Sequence, residues 1–135
     1  METTKEQTDP RLRPKLATAL HEAQSEFTGL DFQPTSETGV YSSTYQARGV
    51  TWVLSSRMWR SRLHLSLHEQ SDVEMKSLWS VSIARRTHHN QGIYTLYDVT
   101  GVAVETNTDL HAILVKALSA AVLEMQFEHS MAHMF

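Results

Sequence analysis

The 135-residue chain has no cysteine, which excludes a disulfide framework, a thiol nucleophile and a thiolate metal site. A reducing compartment suits such a chain, and the cytoplasm is its expected location. Glycine and proline are sparse, with 5 and 3 copies. The glycines stand singly, at Gly29, Gly39, Gly49, Gly92 and Gly101, so none of them builds a phosphate-cradling loop. Neither G-x-S-x-G, S-x-x-K nor H-E-x-x-H occurs, which removes the local signatures of several serine hydrolases and zinc proteases. Long apolar runs are missing too. The longest, residues 112–125, is broken by Lys116, Ser119 and Glu124 and reads as too short and too polar to span a bilayer, so no membrane partner is expected. Residues 1–8 are polar and mixed in charge, unlike a signal peptide, and are expected to be flexible.

Acid is missing locally. Residues 38–68 contain no Asp or Glu but hold Arg48, Arg57, Arg60 and Arg62. The chain as a whole has a formal net charge of −3, so the middle is a positive island in an acidic molecule. What is present otherwise is globular: 41% apolar and 20% charged residues, in a length suited to one domain spanning 1–135.

Two periods organise the chain. Asp9 and Pro10 suit an N-cap and a first helical position. Leu12, Leu16, Leu20, Ala23 and Phe27 recur at helical spacing, and Gly29 is a natural stop. The spacing predicts a helix over 10–28, with Pro14 tolerated only in its first turn. Residues 30–38 contain Pro34 and show no period. The repeat then becomes two. Strands are expected at 40–47, closed by Arg48-Gly49, and at 50–55, where Val50, Trp52 and Leu54 alternate with their neighbours. Leu63, Leu65 and Leu67 put the apolar positions on odd numbers, and that parity switch demands a turn within 55–61. Further strands are expected at 61–69 and at 79–84, where Trp79, Val81 and Ile83 alternate. A hairpin loop over 86–92 and a strand at 93–99 follow. Residues 102–105 read as a sixth strand or as its continuation past a bulge at Gly101. A last helix is expected over 108–130, with Leu110, Leu114, Ala117, Leu118, Ala121, Val122 and Met125 on its apolar face. The class is therefore α+β: an antiparallel meander of about five strands, with an N-terminal and a long C-terminal helix covering one face in two layers.

The sharpest constellation is basic and aromatic: Arg57, Trp59, Arg60 and Arg62 around one turn, joined by Arg85 and Arg86 where the strands are neighbours. Guanidiniums hold phosphates and carboxylates by charge and fork geometry, and an indole stacks on a base. The competing reading is a solvated turn with Trp59 in the core. Histidine is abundant, with 8 copies. His129 and His133 have helical i, i+4 spacing but no third ligand, so no metal is expected, nor any cofactor. His64 and His68 share a strand face roughly 13 Å apart, too far to hold one ion together. His88 and His89, in the expected loop, could serve acid–base chemistry. The segment 126–135 is unusually apolar for a terminus. It is expected to dock on the core or on a partner, with Leu114, Leu118, Met125, Phe127, Met131 and Phe135 forming an interface.

These features favour a small non-enzymatic binding or accessory protein (an adaptor, inhibitor or assembly component). It would act by occupying a partner, which is a second copy of itself together with an unidentified protein or anionic ligand. The second reading is a nucleic-acid-binding protein using residues 57–62. The third is a small enzyme dependent on His64, His68, His88 or His89.

Overall fold

The computed structural model describes residues 12–47, 49–59, 62–70 and 76–134, and describes their side chains except at 12–14, 47, 76, 77 and 128–134. The order is α1 (Leu12–Gln24), β1 (Gln33–Pro34), β2 (Val40–Ala47), β3 (Val50–Trp59), β4 (Arg62–Gln70), β5 (Lys76–His88), β6 (Gln91–Tyr97), β7 (Ala103–Asn107) and α2 (Leu110–Met134). The segment expected to be flexible, the expected cap at Asp9 and Pro10, and Arg48 lie outside the described residues.

The strands form one antiparallel sheet of seven in strict sequence order, so the meander holds but the expected strand count is too low. One added strand is β1, where Gln33 pairs with Ser42 and Pro34 with Tyr41. Two residues are too few to show a period, and proline is accepted there because β1 is an edge strand. The other is β7. Between β6 and β7 the chain makes a turn, not a bulge: Gly101 takes φ 86° and its N–H donates to the Asp98 carbonyl at 3.0 Å. The Asp98 carboxylate accepts from the Thr100 hydroxyl at 2.6 Å and from the Thr100 and Val102 amides at 2.9 and 3.0 Å. Those bonds, the Thr100 hydroxyl foremost, hold its pKa below the usual carboxylate value.

Other boundaries also move. β3 continues to Trp59, so the parity switch falls at 60–61, outside the described residues. β5 continues to His88, and the loop expected over 86–92 shrinks to His89 and Asn90, with φ 51° and 63°. Positive φ at both central residues is the type I′ geometry, whose twist matches that of the flanking strands. α1 is shorter than predicted because Ser25, Glu26 and Phe27 donate three residues back, to Glu22, Ala23 and Gln24, and so leave the α-helical pattern. Buried Gln24 then receives the Phe32 amide at 2.7 Å, tying the connector to the helix end. At the start of α2, Asp109 Oδ1 accepts the His111 amide at 3.0 Å, and Asn107 Oδ1 accepts the Asp109 amide at 2.9 Å. These bonds form a side-chain cap on α2.

Cross-strand partners lie on the same face of a sheet. On one face Trp52, Leu54, Leu63, Leu65, Leu67, Val81, Ile83, Tyr94 and Leu96 are buried against Leu16, Leu20 and Ala23 of α1 and Ile113, Leu114, Ala117, Leu118 and Ala121 of α2. Each fully buried leucine contributes about 1.5–3 kcal/mol. α2 lies over β5, β6 and β7 beside α1, while Leu16 and Leu20 share a small cavity with Tyr41, Met58 and Leu63. The stretch Leu110–Phe127, with a mean hydropathy of 1.4 over 18 residues, is long and apolar enough to cross a bilayer. Here the helix extends the run beyond 112–125 at both ends, and its buried side is used on the sheet.

Candidate functional site

Among the described residues, no helix lies on the second face of the sheet. Its geometry follows from the register. Trp59 stands opposite Arg62, Arg62 opposite Ala84, Ala84 opposite Thr95, and Thr95 opposite Thr106. One row further in, Val40, Arg57, His64, Ser82 and Tyr97 follow one another across five strands. Ser42, Ser55, Ser66 and Ser80 form the next row. No strand residue with a described side chain on this face is acidic. Arg57, Arg62 and Arg86 stand on it, with histidines and hydroxyls between them.

Trp59 is 55% exposed, which rules out the core position considered from sequence. Its indole lies 5.7 Å from the His64 ring, tilted by 57°. The Arg62 guanidinium sits 4.9 Å from the centroid of the Tyr97 ring, two strands away. Ala84, directly opposite Arg62, is small enough to leave that path open. Arg57 pairs with Glu37 at 3.1 Å, both side chains being exposed. Arg60 lies outside the described residues.

Arg85 does not join this group. It and Arg86 are neighbours in β5, and successive strand residues point to opposite faces. Arg86, opposite Ile93, is on the open face, while Arg85 is opposite Tyr94 on the helix side. There it lines a cleft with Lys15, Glu22, Tyr94, Asp109 and His111. Its guanidinium lies against Gly92, where an added Cβ would come within 2.8 Å of Nη2. Lys15 stands 5.9 Å from the Tyr94 ring centroid.

The histidines divide. His68 Nε2 lies 3.0 Å from Ser66 Oγ, two residues earlier on the same strand face. The period-two pattern places the two side by side, and this contact was legible though not drawn from the sequence. Burial pushes the His68 imidazole pKa down. Its Nδ1 is buried and, among the described residues, has no hydrogen-bond partner, so none of them supplies this serine–histidine pair with the orienting carboxylate of a triad. His88 and His89 stack edge to face at 4.1 Å in the hairpin turn. No group of three or more His, Asp or Glu among the described residues is placed to hold a metal, and the side chains of His129 and His133 lie outside them.

The expected interface is largely interior. Leu114, Leu118 and Met125 belong to the chain's own core, because α2 turns that stripe toward the sheet. Phe127 is 58% exposed, and Leu123, one turn before it, is 65% exposed. Met131 is within α2, but its side chain, like the whole of Phe135, lies outside the described residues. No protein family, no curated protein and no solved structure matches this chain.

Proposed function

We propose that the protein is a non-enzymatic binding protein whose working surface is the open face of the sheet and whose partner is anionic there. One observation carries this reading: among the strand residues with described side chains, that face has Arg57, Arg62 and Arg86 but no Asp or Glu, in a chain of formal net charge −3. The acids lie on the helix side and in connectors, as with Glu22, Glu26, Glu105 and Asp109. Segregation of this kind steers a negative partner to one surface and repels it from the others. The expected result is retention on a sulfated polysaccharide at low salt, with release as salt rises. Equal elution of the wild type and a variant with all three arginines changed to glutamine would remove the reading.

A second surface supports self-association. Leu123 and Phe127 are spaced i, i+4 on the outer side of α2, and both are exposed. Pairing through the open face would set like charges against each other, so a homo-oligomer uses the helix side instead. Light scattering tests this: Phe127→Glu together with Leu123→Glu should lower the mass of any assembly, while a monomeric wild type at high concentration removes it.

A further inference from the structure

We infer that the anionic partner is single-stranded nucleic acid, with bases stacking on Trp59 and on the Arg62–Tyr97 pair; this rests on the reading of the open face as an anion-binding surface. Charge alone would suit an acidic peptide equally well. The aromatic groups decide between them. Trp59 offers an indole, 55% exposed, on the face that carries the three arginines. A carboxylate-bearing peptide has no use for it, whereas every base has a π-face that stacks on it. Arg62, held 4.9 Å from the Tyr97 ring centroid, adds a planar cation of the kind that also stacks on bases. A duplex hides its base faces in its own stack, so these platforms serve only unpaired bases.

The spacing suits a short strand. Trp59 is on β3 and Tyr97 on β6, and strand steps of about 4.8 Å put them roughly 14 Å apart across the sheet. Between them lies Ser82, with Ser66 and Ser80 one row beyond, and their half-buried hydroxyls can meet phosphate and sugar oxygens. Arg57 and Arg86 stand to either side of this path, in β3 and β5.

The test measures the full chain against five probes: a mixed-sequence DNA single strand, its RNA counterpart, the corresponding duplex, polyglutamate and a sulfated polysaccharide. Fluorescence anisotropy or competition follows binding. Either single strand is expected to bind more tightly than the duplex or polyglutamate, and the tighter of the two identifies the sugar. With three arginines engaged, log K should fall against log salt with a slope of roughly −2. Trp59→Leu should weaken the single strand on the order of tenfold while leaving the sulfated polymer unchanged. Arg62→Gln should weaken both. If the sulfated polymer or polyglutamate binds but the single strand gains nothing from Trp59, the nucleic-acid inference falls and the anionic reading survives. If no probe binds at about 50 mM salt, both fall. Trp59→Phe, which keeps a ring, should restore most of the affinity lost in Trp59→Leu. Equal loss in the two variants would also overturn the stacking role.

Discussion

Arg57 Nη2 lies 3.1 Å from both carboxylate oxygens of Glu37, at the rim of the open sheet face. Glu37 thus occupies one of the three cations that the proposed partner would use. Exposed pairs of this kind are worth about 0–1 kcal/mol. Glu37→Gln should therefore leave thermal stability almost unchanged and tighten anion binding up to about fivefold at low salt, the gain disappearing at high salt. A titration in which the variant binds no better than wild type would place Arg57 outside the binding surface.

Gly92 and Arg85 are coupled by space. The glycine has no positive φ to protect, so the obstacle to a side chain there is the guanidinium that a Cβ would meet at 2.8 Å. Gly92→Ala should cost about 1 kcal/mol. In an Arg85→Ala background the same change should cost almost nothing, since the side chain it displaces is gone. Urea unfolding of the four members of this cycle measures the coupling directly. Additive effects would mean the close approach carries no energy.

His68 links stability to pH. Burial depresses its folded pKa below the ordinary 6.5, so between the two values the unfolded chain binds the proton and the folded chain does not. Its contribution is complete above about pH 6.5 and is lost as pH falls toward the folded value. Melting temperatures recorded across that range should fall on the acid side. His68→Gln should flatten the fall, and a parallel curve for the variant would assign the loss to other groups.

Core and surface positions on α2 should separate cleanly. Leu118 is fully buried, and Leu118→Ala should cost about 2–5 kcal/mol. Phe127→Ala, at a position 58% exposed, should change stability by no more than about 0.5 kcal/mol. It should act on self-association instead. Denaturant midpoints combined with light scattering give both numbers for each variant.

Much of this architecture is legible in the sequence because burial and period coincide. Leu63, Leu65 and Leu67 alternate, and all three are buried on the helix side. The stripe through Leu114, Leu118 and Ala121 likewise marks the buried side of α2. What escaped had no period. β1 is two residues long, and β5 runs on through Arg86, Thr87 and His88, whose polar character imitates a loop. That extension separated Arg85 from Arg86, a parting that composition could not show. Apolar residues on α2 mark a covered side without naming the cover, and so periodicity alone points Leu114 and Leu118 to a partner, where the structure buries them in the chain's own core. The open face was only half legible: alternation predicted a polar side, but the reach of Arg62 to Tyr97 across an intervening strand depends on side-chain conformation.

Because the strands pair in the order of synthesis, β2 to β6 can form hairpin by hairpin as the chain leaves the ribosome. α1 emerges first and can shelter Tyr41, Met58 and Leu63 early. Val81, Ile83 and Leu96, on the strands that α2 crosses, wait for that helix, which follows all seven strands. A nascent chain stalled just after β7 would carry a paired but half-naked sheet, the species most open to chaperone capture and to aggregation.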